Sequence, residues 1–464
     1  MRMSFQAVKR SDISELVRIA GEKNVLVGGD IPDDYSHDEM APVTSEPEVV
    51  FLAGDTSEIS ALLRHCCWRN IPVTPRGAGT GLMGGAVPVC GGVLLDLGRM
   101  DEILEIDEKN MLARVQPGVT LLELSEAVEA RGLFYAPDPG EKSGSIGGNV
   151  NTNAGGMRAV KYGVTRDHVR GMEVVLPDGE ILHLGGRVAK NSTGYQLLQV
   201  IIGSEGTLAV VTEITVRLLP RPPALASLLV PFSDLDAAIL TVPRFAEAGI
   251  TPQAIEFFRR GVIEASERYL GKSFPDRSAP AYLLLRFDGA SREELEAQID
   301  AAGRVCLENG AIDALIADTA ERQEALWSAR GAFLEAIKHD EMDEADVVVP
   351  RAEIAEMVNY ADEVGECVGL RIESFGHAGD GNMHINMLRD GLPWDQWRRK
   401  VDRAMELLYE KAEELSGMVS GEHGIGHAKR AYLERHTDPR EIALMRGVKE
   451  LFDPRGILNP QKIL

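Results

Sequence analysis

The sequence predicts an α+β protein of two or three domains, on three observations. At 464 residues the chain is too long for a single hydrophobic core. Between about 42 and 221 short strand patterns dominate, with few helices among them. Beyond Pro220, Pro222 and Pro223, which form a linker, longer helical stretches alternate with strands.

Taken in order, residues 11–23 carry helical spacing (Ile13, Leu16, Val17, Ala20), with Ser11 or Asp12 as the cap. Strands follow at VVFLAG, VLLDL, ARVQPG, EVVLPDGEILHL and TLAVVTEITVRLLP, and the PDG within Val174–Leu184 marks a hairpin. Helices are expected at about 56–69, 120–131 and 192–202, without a regular βαβ alternation. The second half predicts helices at 234–248, 291–308, 319–339, 351–367 and 396–416. Strands such as AYLLLRF and LRIESFGH between them point to an antiparallel sheet. The Met and aromatic residues of 396–409 read as packing, and the acidic run His339–Asp346 reads as a solvated loop. Residues 428–464 are helical and then end in LFDPRGILNPQKIL.

Composition excludes several functions. The formal net charge of −23 argues against nucleic acid and against an anionic membrane surface. Cys66, Cys67, Cys90, Cys306 and Cys367 show neither CxxC nor ligand spacing, so neither an iron–sulfur site nor a disulfide framework is expected. The start of the chain carries charges throughout and does not read as a signal peptide. No apolar run reaches membrane-spanning length, the longest being broken by Pro231, Asp234 and Asp236. A cytoplasmic protein without a membrane span is the expectation.

Two tracts are dense in glycine: PRGAGTGLMGG (Pro75–Gly85) and PGEKSGSIGGNVNTNAGG (Pro139–Gly156). Gly79, Gly81 and Gly84 match G-x-G-x-x-G, and Asp96 follows at nearly the distance of a ribose contact. The dinucleotide reading fails on context, because Gly85, Pro88, Gly91 and Gly92 leave no room for the helix it requires. What remains is a backbone nest whose N–H groups meet an anion. Gly203–Gly206 offers a further surface of this kind, and the set suits a diphosphate-bearing cofactor.

GHAGDGNMH (Gly376–His384) and GEHG (Gly421–Gly424) place His377, His384, Glu422 and His423 in glycine-rich turns. Histidine and carboxylate are the ligands that a catalytic divalent metal needs. Residues seven apart on an unbroken strand face opposite sides, so His377 and His384 converge only if Gly379 and Gly381 reverse the chain. His384 shares its strand face with Asn386, a polar face expected to carry no charge; Met383, Ile385 and Met387 line the other. Glu422 and His423 are adjacent and point apart in extended backbone, so one can coordinate while the other faces substrate. The isolated His37, His65, His168, His183, His339 and His436 read as surface or core residues.

The motifs PRGAGTG, IGGNVNTNAGG, GHAGDGNMH with SGEHGIG, and the terminal NP-x-K at Asn459–Lys462 resemble the FAD-linked 2-hydroxyacid dehydrogenases. These form part of the vanillyl-alcohol oxidase flavoprotein superfamily. The nearest branch resembles the D-lactate dehydrogenase and glycolate oxidase catalytic-subunit group, with D-2-hydroxyglutarate dehydrogenase as a cousin. The resemblance implies an N-terminal helical segment (1–41), a PCMH-type FAD-binding domain (42–221) and an α+β cap domain with an antiparallel sheet (222–415). A C-terminal segment (416–464) would return to the flavin. FAD contacts would come from Arg76, Gly77, Ala78, Gly79, Thr80, Gly81, Gly84 and Gly85 in the first tract. Pro137, Asp138, Gly140, Gly144, Gly147, Gly148, Asn149, Asn151, Ala154, Gly155 and Gly156 would supply more, as would Glu205, Gly206 and Asn459. His377, His384 and Glu422 would hold a divalent metal (Zn, Fe or Mn). His423 would be the base, Arg330 would bind the substrate carboxylate, and Asn386 would join them in the catalytic set. A guanidinium fork suits a planar carboxylate.

Two departures matter. The first tract lacks the histidine that some superfamily members link to flavin, so FAD is expected to be non-covalent. Leu334 stands where the hydroxyglutarate branch usually carries threonine, which favours a small or apolar hydroxyacid. The implied reaction is oxidation of a D-2-hydroxyacid, D-lactate before glycolate or D-2-hydroxyglutarate. The electrons would pass to an external acceptor: a quinone, an electron-transfer flavoprotein or an iron–sulfur subunit. A metal-dependent hydrolase, a non-catalytic flavin subunit and a homodimer stay open.

Overall fold

In a computed structural model, residues 5–39, 43–338 and 341–464 are described. The expected boundary at 41/42 and His339 fall outside them. The chain forms two compact units. Unit 1 comprises Met1–Ala154, Val164–Arg221 and His423–Leu464, and unit 2 comprises Gly155–Gly163 and Pro222–Glu422.

Unit 1 holds two main sheets. The first has the order Val25–Val27, Val49–Leu52, Val93–Asp96, Val73–Arg76. Its last three strands are parallel, which requires a crossover, supplied by the helix Thr56–Arg69. Asp55 caps that helix, accepting from the Glu58 N–H at 2.9 Å, and Asn70 ends it in the left-handed region. Leu16, Phe51, Ile59, Leu62, Val73 and Leu95 fill the core beneath. The second sheet is antiparallel: Ile103–Asp107, Leu112–Val115, Val210–Arg217, Val169–Val175, Ile181–Gly185. The PDG turn closes its last hairpin, with Val175 opposite Ile181 and Gly179 at φ +86°.

Unit 2 is built on a seven-stranded antiparallel sheet in the order Leu315–Ala317, Ala224–Phe232, Ala281–Gly289, Ala254–Arg259, Arg371–His377, Asn382–Leu388, Met342–Val348. The helices Leu235–Glu247, Arg292–Glu308, Ile354–Val368 and Trp394–Glu414 pack against it. Trp397, Val401, Met405, Leu408 and Tyr409 of the last helix are buried, so its aromatic and Met residues do pack.

Three elements differ from the sequence reading. The helix expected at 192–202 is reduced to Leu197–Ile201. Asn191, Ser192, Thr193 and Gly194 form a turn instead, in which Asn191 Oδ1 accepts the Thr193 N–H at 2.9 Å. The helix expected at 319–339 divides into Ala320–Gly331 and Phe333–Ile337, at the glycine that weakens it. The acidic run His339–Asp346 is not a solvated loop where it is described: Met342–Val348 is a strand, and Glu344 and Asp346 are buried. Ala345 and Val347 alternate with those acids, and Val347–Val349 supply β-branched residues.

Candidate active site

Strand register in unit 2 puts the chemistry on one face. Residues directly opposite each other in neighbouring strands share a face of the sheet. Glu256 lies opposite His377, Phe375 opposite His384, and His384 opposite Asp346. Asn386 lies opposite both Glu373 and Glu344. One face therefore carries Glu256, His377, His384, Asn386, Glu344 and Asp346, drawn from four adjacent strands. The expected uncharged polar face is corrected here, because the neighbouring strands bring carboxylates to it.

The hairpin turn makes this possible. His377 pairs with Asn382 across it, and Gly381 adopts φ +90°. A Cβ there would lie 2.0 Å from Val349 O, so only glycine fits. The His377 and His384 rings stand 5.3 Å apart and nearly perpendicular.

Each imidazole is oriented by its own buried carboxylate. His377 Nδ1 lies 2.7 Å from Glu256 Oε1, and His384 Nδ1 lies 3.0 Å from Glu344 Oε1. With Nδ1–H donated to a carboxylate, the Nε2 lone pair of each ring is left to ligate. Both Nε2 atoms lie 3.4 Å from the same atom, Glu422 Oε1. Two carboxylate-braced imidazoles and the Glu422 carboxylate are a donor set that fits a divalent cation with open positions. Burial disfavours the charged His377, yet Glu256 and Glu422 hold its pKa well above the usual histidine range. Burial also pushes Asp380, in the same turn, up to about 6.

Arg330 is 7% exposed, at the end of the helix Ala320–Gly331. Its Nε and Nη2 bond Glu256 Oε2 at 2.7 and 2.6 Å. Its guanidinium lies 5.0 Å from the centre of the Phe375 ring. Glu256 therefore joins Arg330 to His377. Burial would push the Glu256 carboxyl up, but His377 and Arg330 hold it below the usual range. Asn386 is fully buried, its Nδ2 bonding Glu373 O at 3.2 Å and its Oδ1 without a hydrogen-bond partner among the described residues.

In unit 1 the expected cofactor residues gather into one region. A Cβ on Gly77 would lie 2.3 Å from Ser145 Oγ, and one on Gly144 would lie 3.4 Å from Thr80 Oγ1, so the two glycine tracts touch. Ala78, Gly79 and Gly81 lie in the same loop, with Gly79 at φ +78°. Ser145 caps the short helix Ile146–Thr152, which carries Gly147, Gly148, Asn149 and Asn151. Gly206 N–H donates to Asn151 Oδ1 at 2.9 Å. Asn459 Nδ2 bonds Gly85 O at 3.0 Å and Glu205 O at 2.8 Å. Pro137 and Asp138 are buried and Gly140 is exposed on the approach to the second tract, and Asp138 is bonded by Lys142. Ala154 ends this stretch of unit 1, while Gly155 and Gly156 fall in unit 2. Asn149 Nδ2, Ser204 Oγ and Asn459 Oδ1 are buried without a hydrogen-bond partner among the described residues. Side-chain-free loops beside unsatisfied polar atoms fit a cofactor rich in phosphate and ring nitrogens.

Two expected cofactor residues have other engagements. Arg76 donates to His37 O at 2.7 Å and Asp34 O at 2.9 Å, bracing the segment Asp33–Ser36 and its flank. Glu205 accepts the N–H groups of Ile425 and Gly426 at 2.8 and 2.7 Å, fixing the turn just after His423. Sequence reasoning missed Glu256, Glu344 and Asp346. The last two carried a signal in their alternation with apolar residues.

Comparison with known proteins gives the family of the chain. Residues 47–185 match the "FAD binding domain" family, and residues 221–463 match "FAD linked oxidases, C-terminal domain". A D-lactate dehydrogenase of Anaerostipes hadrus is 48% identical over 95% of this chain and 94% of its own. The glycolate oxidase subunit GlcD of Bacillus subtilis is 41% identical, over 97% of this chain and 96% of its own. The structure of p-cresol methylhydroxylase with substrate bound superimposes with a TM-score of 0.82 at 18% identity, covering 99% of this chain and 98% of the other, and shows the shared PCMH-type fold. These matches define a flavin-dependent oxidoreductase. The chain belongs to the FAD-linked oxidases, of the D-lactate dehydrogenase, glycolate oxidase and D-2-hydroxyglutarate dehydrogenase type.

Proposed function

We propose that the protein oxidises a D-2-hydroxyacid, D-lactate foremost, to its 2-oxoacid, with FAD and a divalent metal. The observation that carries the metal is the pair of carboxylate-braced imidazoles whose Nε2 atoms meet at Glu422 Oε1. When bound, FAD supplies the acceptor for the Cα hydride, and the cation acidifies the coordinated hydroxyl. His377, His384 and Glu422 hold the cation. Unit 1 holds FAD non-covalently through Gly77–Gly85, Gly144–Asn151 and Asn459.

Arg330 binds the substrate carboxylate. Its Nε/Nη2 edge is committed to Glu256, which leaves the Nη1 side of the fork for substrate. His423 removes the hydroxyl proton, and Asn386 orients the polar groups of its sheet face. Leu334 in place of threonine, together with the D-lactate dehydrogenase relative, supports a small apolar side chain on the substrate. The electrons leave to an external acceptor: a quinone, an electron-transfer flavoprotein or an iron–sulfur subunit. The five free cysteines support this, since they show no ligand spacing for a second redox centre.

Turnover of D- and L-2-hydroxyacids with an artificial dye, before and after chelation, tests the reading. Turnover of D-lactate that chelation abolishes and Zn, Mn or Fe restores supports it. Turnover confined to L isomers, or indifferent to chelation, overturns it.

A further inference from the structure

We propose that Asp346 is a positioning residue for the metal ligand Glu422, holding the ligand's backbone in place without touching the metal. The inference rests on the metal reading above and deepens it. Met342–Val348 is an edge strand of the seven-stranded sheet. Beyond its pairing with Asn382–Leu388, the loop 418–422 hangs on it. Val348 and Met418 exchange backbone hydrogen bonds, with Met418 N donating at 2.8 Å and Val348 N at 3.3 Å.

Asp346 continues this attachment with its side chain. The residue is 0% exposed, and its Oδ2 accepts Ser420 Oγ at 2.9 Å and the N–H groups of Gly421 and Glu422 at 3.0 Å each. Two consecutive N–H groups converging on one anionic oxygen form a small nest, with the carboxylate supplied by the protein itself. The other oxygen, Oδ1, accepts Asn382 Nδ2 at 2.7 Å. Asn382 lies opposite His377 across the hairpin turn. One carboxylate thus ties the third ligand's loop to the hairpin that carries the first two.

Gly421 shows how close the fit is. A Cβ there would lie 2.0 Å from Asn382 Nδ2 and 3.0 Å from Asp346 Oδ1. The glycine of GEHG is therefore needed for contact with this anchor. Among the described residues, Asp346 belongs to neither group of side chains able to share one ion, so its effect runs through Glu422. Charge-assisted hydrogen bonds to backbone N–H groups are roughly twice as strong as neutral ones. Removing them frees the loop while all three ligands remain in the chain.

The test titrates metal-stripped, FAD-loaded protein with Mn²⁺ alone and with Zn²⁺ alone, for wild type, Asp346→Asn and Ser420→Ala. Removing a partner that orients a ligand costs about 10–100-fold in metal affinity, the loss expected for Asp346→Asn. Ser420→Ala removes one neutral donor to the same oxygen and should cost about 5-fold. Both variants should keep the wild-type flavin absorption and regain turnover at saturating metal, a rescue that general misfolding would not allow. Wild-type metal affinity in both variants overturns the inference while leaving the metal reading intact. Turnover that saturating metal does not restore also overturns it. If Asp346→Asn fails to fold, Ser420→Ala decides alone. A wild-type protein that binds neither ion overturns the metal reading, and this inference with it.

Discussion

Glu256 holds His377 Nδ1 at 2.7 Å with one oxygen and Arg330 Nε at 2.7 Å with the other. A fully buried carboxylate between an imidazole and a guanidinium orients both and balances the charge of Arg330.

Glu256→Gln should therefore act twice. It leaves Arg330 buried without a counter-charge, at a cost on the order of 3 kcal/mol, and it lowers metal affinity about 10–100-fold. Chemical denaturation and metal titration read the two effects separately. An unchanged unfolding midpoint with unchanged metal binding would contradict this role.

Metal loss should hurt more than loss of the base. A positioned base contributes about 10²–10⁴-fold, whereas a cation held by the proposed ligands would both orient and acidify the hydroxyl. His377→Ala is expected to lower kcat further than His423→Asn does. Steady-state kinetics at a metal concentration that just saturates the wild type compare them, and the reverse order would remove the case for metal activation.

Asp12 gives a pH prediction away from the site. Its carboxylate accepts Arg69 Nε at 2.7 Å and lies 3.0 Å from His65 Nε2. The Arg69 bond, opposed by burial, lowers its pKa to about 2. The unfolded value is about 3.9, so the folded pKa is depressed. The stabilisation is then fully present above pH 4 and is lost as pH falls through about 2. Asp12→Asn should cost about 1–2 kcal/mol at pH 7. The gap between variant and wild type should close towards pH 2 in pH-resolved denaturation. A gap that persists at the acid end would show that the pairing is not its source.

Gly381→Ala should disrupt the hairpin rather than merely trim it. The added Cβ meets Val349 O at 2.0 Å, and the backbone stands at φ +90°. We expect a loss of at least about 2 kcal/mol in stability together with loss of metal binding. A variant that binds metal as wild type does would mean that the turn relaxes without moving the histidines.

What the sequence disclosed and what it concealed follow from chain distance. His377 and His384 announced themselves because glycines lie between them, and the turn was legible as the reason they meet. Glu256 lies 121 residues before His377 and joins it only through strand pairing, which no local pattern encodes. Glu344 and Asp346 were readable as alternating strand residues, but four acids within six positions (Glu341, Asp343, Glu344, Asp346) resemble a solvated run. Arg76 was visible in its motif, whereas its bonds to Asp34 O and His37 O depend on a segment some forty residues upstream. The helix at 192–202 failed for a local reason, since turn-forming side chains compete for the backbone at 191–194.

The measurement that bears most directly on the proposed chemistry is the visible spectrum of purified, metal-replete protein, recorded anaerobically before and after D-lactate, with L-lactate as control. Bleaching of the flavin band by the D form alone is the predicted result. A flavin band that no 2-hydroxyacid bleaches, or one bleached equally by both enantiomers, would contradict it.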